Sequence, residues 1–217
     1  HVLKDPVRFD LQGVTMGYGE KAVLTDISLS FGRGEFIAIE GVSGSGKTTF
    51  IRTLLGLMDP ISGRILLNGM EMEKVDLHSL WKRIGYVGKN VLLTEESVER
   101  NIVLDSQMDR IKLQRVTGIL GISDEMLQRS STGNLSSGEK QKIAIARILY
   151  QDLPMMILDE ALSNLDEKTK VRLVEYFARI CKERGKLVLL ISHERLILEK
   201  TERRIHIHGG VLTEKTG

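Results

Sequence analysis

The stretch "FIAIEGVSGSGKTTFIRTLLGL", residues 36–57, constrains this chain more than any other. Its apolar run reads as a buried strand, its Gly/Ser segment as a tight loop and its amphipathic remainder as a helix. Gly41, Gly46, Lys47 and Thr48 keep the spacing G-x-x-x-x-G-K-[ST] within that strand–loop–helix context. Glycine at such a loop lets backbone N–H groups curl around phosphate oxygens, where a Cβ would clash or block the torsions. Lys47 supplies a point charge for terminal phosphates, and the Thr48 hydroxyl is placed to ligate Mg²⁺. The candidate nucleotide-binding set is therefore Gly41, Val42, Ser43, Gly44, Ser45, Gly46, Lys47, Thr48 and Thr49.

The chain can bury a full core, since it has 217 residues, 41% of them hydrophobic. A formal net charge of +2 gives no general reason to expect nucleic acid as a partner. Local clusters such as Lys182, Arg184 and Lys186 read as a solvated face. The single cysteine, Cys181, excludes an intrachain disulfide and points to a reducing compartment. It lies in the helical pattern "EKTKVRLVEYFARICKERG" with no nearby histidine, so a structural role is expected. No signal peptide or apolar run of spanning length is visible. The chain begins with His1 rather than Met, which suggests a piece of something longer.

Runs rich in Val, Ile, Leu and Phe predict strands at 7–14, 23–31, 35–40, 64–67, 84–88, 154–158, 186–191 and 203–208. Helical patterns cover 47–56, 77–82, 109–120, 137–151, 167–184 and 194–200. The alternation predicts an α/β domain with a mainly parallel sheet. Residues 1–34 and 61–75, with Gly pairs and an "NG" at 68–69, read instead as a flanking antiparallel β lobe. Residues 89–150 read as a helical lobe, leaving 35–60, 76–88 and 151–217 as the core.

Two further strand ends carry chemistry. "LPMMILDEALSNLD" is an apolar strand closing on Asp159 and Glu160, and ligands in open α/β sheets gather beyond the carboxyl ends of strands. Asp159 can hold Mg²⁺ through water, and Glu160 can orient or deprotonate an attacking water. "KLVLLISHERL" ends on His193, on the same expected edge, where it can contact a γ-phosphate. A third element, "NLSSGEKQKIAIARIL" at 134–149, starts a helix that either Ser136 or Ser137 can cap, with Glu139 in the first turn. Such a start also suits an anion.

Taken in order, these pieces resemble the nucleotide-binding domain of ABC (ATP-binding cassette) transporters. The pieces are Tyr18 in "MGYGEKAVLTDISL", "GVSGSGKT", the loop after "IGYV", "LSSGE", "MMILDE", "SNLD" at 163–166 and "SH" at 192–193. The resemblance implies a P-loop NTPase (RecA-like) core with antiparallel β and α-helical subdomains. It implies ATP and Mg²⁺ as cofactors, with Glu160, His193 and Lys47 catalytic and Thr48 and Asp159 at the metal. It also implies that two domains meet head to tail, so that Ser136, Ser137 and Gly138 approach an ATP held by the other, with Asp166 at the seam. Tyr18 would stack on adenine.

Two departures stand out. The usual LSGGQ signature reads LSSGE here, with Ser137 and Glu139 in place of Gly and Gln. Where the family places a glutamine after "YV", this chain has Lys89 with Asn90 beside it. Lysine offers no acceptor for a cation or water. Lys89 lies away from the site, or Asn90 supplies the amide, or hydrolysis is slow; with Glu160 and His193 both present, one of the first two readings is favoured. The segment "DLHSLWKRIGYVGKNVLLTEESVERNI" is similar to exporter-type domains, which implies transmembrane domains as partners, in the same or a separate chain, at the cytoplasmic face of the membrane. The competing classes are a soluble non-transport ABC ATPase and a slow or regulatory cassette.

Overall fold

The computed structural model describes residues 7–104 and 106–216. His1 and the first six residues of the expected β lobe lie outside the described residues. The fold is built on two sheets. A four-stranded antiparallel sheet comprises β1 (Arg8–Tyr18), β2 (Lys21–Gly32), β4 (Ser62–Leu67) and β5 (Met70–Glu71), in the order β2-β1-β4-β5. A six-stranded sheet comprises β3 (Phe36–Glu40), β6 (Ile84–Val87), β7 (Met155–Asp159), β8 (Leu187–Ile191), β9 (Arg203–His208) and β10 (Val211–Thr216). Its order is β10-β9-β3-β8-β7-β6, parallel throughout except for the β9–β10 hairpin.

The predicted α/β class with a mainly parallel sheet therefore holds. The helices are α1 (Lys47–Leu54), α2 (Leu77–Trp81), α3 (Val98–Val103), α4 (Arg110–Leu120), α5 (Asp124–Leu127), α6 (Ser137–Gln151), α7 (Glu167–Arg184) and α8 (Arg195–Glu199). The sequence patterns had no place for β5 and β10. Both strands close hairpins whose two-residue turns demand left-handed backbone: Asn68-Gly69 at φ 52° and 78°, and Gly209-Gly210 at φ 58° and 79°. Strand β10, "VLTEKT", is too polar for an apolar-run criterion and pairs as an edge.

Strands β3, β7 and β8 are apolar without interruption because the sheet is covered on both faces. Alternate residues of β8 divide between two cores. Val188 and Leu190 join Phe36, Leu158, Ile148 and Phe177 under α6 and α7. Leu187, Leu189 and Ile191 join Ile37, Ile39, Phe50 and the inner face of the antiparallel sheet. Phe9 and Phe31 stack at 5.2 Å within that second core. With both faces buried, polar function is confined to the strand ends. Cys181 belongs to the first core, where burial pushes its thiol up to about 12, so it is inert as a nucleophile.

Helix α7 is set by its N-cap. Asp166 accepts from the Thr169 backbone N–H at 2.9 Å and from the Thr169 hydroxyl at 2.8 Å. Those bonds and nearby Lys142 draw its carboxyl pKa down to about 2. A carboxylate depressed in the folded state stabilises it fully above the unfolded value, and that stabilisation is lost as pH falls through the folded value. Asp166→Asn keeps a capping oxygen but cannot titrate. Urea unfolding midpoints should therefore fall less steeply for Asp166→Asn than for the parent chain between pH 5 and about pH 2. Superimposable acid limbs would contradict this account of the cap.

Candidate functional site

The phosphate-type loop joins β3 to α1 and is held from two sides. A Cβ on Gly41 would lie 2.5 Å from the Ile207 carbonyl oxygen of β9 and 2.6 Å from Ser45 Oγ. Gly46, at φ 109°, would direct one to 2.8 Å from Leu24 of β2. Neither position has room for a side chain. Lys47 Nζ donates to the Gly41 carbonyl at 2.7 Å and the Val42 carbonyl at 2.9 Å, so its ammonium lies across the loop. Ser45 Oγ is buried with no hydrogen-bond partner among the described residues. A glycine cradle, a lysine across it and an unpartnered hydroxyl inside it fit a bound phosphate chain.

Register brings the other strand ends to this loop. Strand β8 lies between β3 and β7, with Ile39 paired to Ile191 and Asp159 paired to Ile191. The phosphate-type loop, Asp159-Glu160 and Ser192-His193 therefore leave the sheet along one edge. Thr48 and Asp159 line one cavity of about 370 Å³ with Arg52, Trp81 and Tyr86. His193 is exposed just beyond β8. Tyr18 ends β1 with its ring half exposed, and the following strand, β2, is the one that touches Gly46.

The two adjacent carboxylates have different surroundings. Asp159 is partly buried, and burial, reinforced by the charge of Glu160, raises its carboxyl above the ordinary value. The Tyr86 hydroxyl donates to Asp159 Oδ2 at 3.2 Å, and its own proton is held up to about 12 by burial and by that carboxylate. Glu160 takes left-handed backbone at φ 52°, unusual for a residue with a Cβ. Its N–H donates to the Ile191 carbonyl at 3.1 Å, and its carbonyl accepts from Ser163 Oγ at 2.9 Å. Those bonds fix the direction in which its side chain leaves the strand.

Lys89 does not lie away from the site. In the parallel β6–β7 register Val87 sits beside Leu158, so the next residues run alongside Asp159 and Glu160. Lys89 Nζ comes to 3.7 Å from Glu160 Oε2. Asn90 beside it is exposed.

At the signature-like segment it is Ser136, not Ser137, that caps α6. Ser136 Oγ accepts from the Glu139 N–H at 3.2 Å, while the Ser136 N–H and hydroxyl each donate to Glu139 Oε2 at 2.8 Å. The Glu139 carboxyl is held below its usual range, first by the Ser136 N–H. Its charge is thus committed to its own helix start and to Arg129, 3.4 Å away. No hydrogen bond joins Ser136, Ser137 or Gly138 to the phosphate-type loop among the described residues. Gly138 and Gln141 meet the "SNLD" turn instead. A Cβ on Gly138 would lie 2.7 Å from the Asn164 carbonyl oxygen, and Gln141 Oε1 accepts from the Asn164 N–H at 3.2 Å.

Sequence reasoning missed Tyr86, Gln141 and Lys142, the last 3.4 Å from Asp166. None of the three left a signal in the sequence; Tyr86 emerges only in the structure, as the exposed residue of β6.

A family model described as "ABC transporter" matches residues 24–163. A probable ABC transporter ATP-binding/permease protein of Haemophilus influenzae is 34% identical, over 96% of this chain and 39% of its own length. An ATP-dependent lipid A-core flippase of Burkholderia orbicola is 32% identical, over 95% of this chain and 36% of its own. The chain thus spans well under half the length of the curated relatives it matches. A solved structure of a bacterial Atm1-family ABC exporter with ATP bound superposes with a TM-score of 0.88 at 25% identity, over 99% of this chain and 40% of that one. With the phosphate-type loop, the acidic strand end and the signature-like helix in the geometry described, the chain belongs to the ABC transporter family.

Proposed function

We propose that this chain binds and hydrolyses ATP as a motor for export, working as one of two such domains that close head to tail around two nucleotides. The observation that carries the reading is the convergence of the phosphate-type loop, Asp159-Glu160 and His193 along one sheet edge. The relatives are transporters and a flippase, which supports transport over a soluble ATPase. Transmembrane domains, in the same or a separate chain, would be the partners, with this domain at the cytoplasmic face of the cell membrane. No helix among the described residues is long and apolar enough to cross a membrane. In this reading the domain divides as the sequence suggests, with a β lobe at 1–34 and 61–75 and a helical lobe at 89–150 set on the remaining core.

The residues take these roles. Backbone N–H groups from Gly41 to Thr49 surround the phosphates, and Lys47 exchanges its two loop carbonyls for phosphate oxygens. The Thr48 hydroxyl directly, and the Asp159 carboxylate through water, would hold Mg²⁺, a cation that usually keeps waters and substrate phosphates among its ligands. Mg²⁺ would supply charge neutralisation at the transferring phosphoryl group. Glu160 accepts a proton from the attacking water, and His193 hydrogen-bonds the γ-phosphate. Tyr18 stacks on adenine. Ser136, Ser137 and Gly138 meet the nucleotide of the other domain at the start of α6, with Asp166 at the seam.

Removing the base leaves binding intact. Glu160→Gln should lower ATP turnover by roughly a hundredfold or more, the usual contribution of a positioned general base. The same variant should retain ATP and run as a dimer in size-exclusion chromatography with ATP present. Turnover at the parent rate would remove Glu160 from the mechanism.

A further inference from the structure

The stretch from Tyr86 to Lys89 meets both acidic side chains at the end of β7. Gly88 has no Cβ, and one placed there would come to 3.1 Å from Tyr86 Oη and 3.2 Å from its Cε1. The Tyr86 ring thus folds back over the segment and its hydroxyl reaches Asp159 Oδ2. Lys89 then leaves the segment on the side of Glu160, where its ammonium stands 3.7 Å from Oε2. The Glu160 backbone is held by its bonds to Ile191 and Ser163, while the torsions of its partly exposed side chain leave the carboxylate able to turn. The flexible four-carbon stem belongs to Lys89. The other lysine of the site, Lys47, is engaged with the loop carbonyls.

We propose that Lys89 is a positioning residue that restrains the Glu160 carboxylate and slows hydrolysis. The proposal rests on the reading of Glu160 as the base. An ammonium carries three donors and no acceptor. At 3.7 Å it lies beyond hydrogen-bond distance and acts on Oε2 as a charge, drawing the carboxylate toward the loop after β6 and away from an attacking water. The pair is weak: the Lys89 side chain is 69% exposed, and pairs in solvent hold their geometry only part of the time. The restraint is accordingly partial, worth about two- to fivefold in rate.

The test measures single-turnover hydrolysis at saturating ATP, together with steady-state KM, in Lys89→Gln, Lys89→Arg, Glu160→Gln and the double variant Lys89→Gln/Glu160→Gln. Lys89→Gln should raise the single-turnover rate about two- to fivefold with KM little changed, because glutamine reaches the carboxylate without a cation. Lys89→Arg should stay at the parent rate. In the Glu160→Gln background, Lys89→Gln should add nothing. A rate for Lys89→Gln equal to or below the parent overturns the restraint. So does a raised KM without a faster single turnover, which assigns Lys89 to the phosphates. Full turnover in Glu160→Gln alone overturns the reading of Glu160 and the restraint with it. Loss of turnover there, alongside an unaccelerated Lys89→Gln, overturns the restraint only.

Discussion

The parallel pairing of β8 with β3 on one side and β7 on the other is the constraint from which the rest of the site follows. Each strand is apolar on both faces because two cores sandwich the sheet. A polar group can therefore appear only where a strand ends, and parallel strands all end on the same side. The glycine loop, the two carboxylates and His193 come from positions far apart in the chain, yet the register leaves them on one edge. Slipping β8 by a residue would invert its side chains between the cores. Site geometry and core packing thus depend on the same pairing.

A second linkage runs inside the chain. The helix start expected to face another molecule's nucleotide is not independent of this chain's own carboxylates. Gly138 packs on the Asn164 carbonyl, Gln141 receives the Asn164 N–H, and Ser163 bonds back to the Glu160 carbonyl. Gln141 is almost wholly buried and its Nε2 has no hydrogen-bond partner among the described residues, so its orientation rests on the one bond its oxygen makes. A shift of α6 along its axis would pass into the turn that carries Glu160.

What could be read from the sequence was whatever depends on local pattern. The spacing from Gly41 to Thr48, the runs closing on Asp159 and Ser192, and the helices 137–151 and 167–184 all follow from periodicity and caps, and the structure has α6 and α7 at those residues. What could not be read depends on tertiary register or on weak patterns. Both Ser136 and Ser137 are possible caps by residue type, and the bonds of Glu139 to Ser136 decide for Ser136, whose spacing to Glu139 is that of a capping box. The contact of Lys89 with Glu160 exists because β6 pairs with β7 as it does, across about seventy residues of chain that carry no sequence trace of the pairing. The left-handed backbone of Glu160 is likewise imposed by its bonds to neighbours, since glutamate has no preference for it.

The central claim is that a complete ATP site takes the phosphate loop of one chain and the signature-like helix start of another. Mixing tests it directly. Lys47→Ala disables the loop and Ser136→Arg disables the helix start, so each variant alone forms only defective sites. In a mixed pair, one site joins the intact loop of one chain to the intact helix start of the other. The account predicts that each variant alone is inactive and that ATP hydrolysis appears when the two are combined. If the parent chain hydrolyses ATP and the mixture stays silent, the shared site is contradicted.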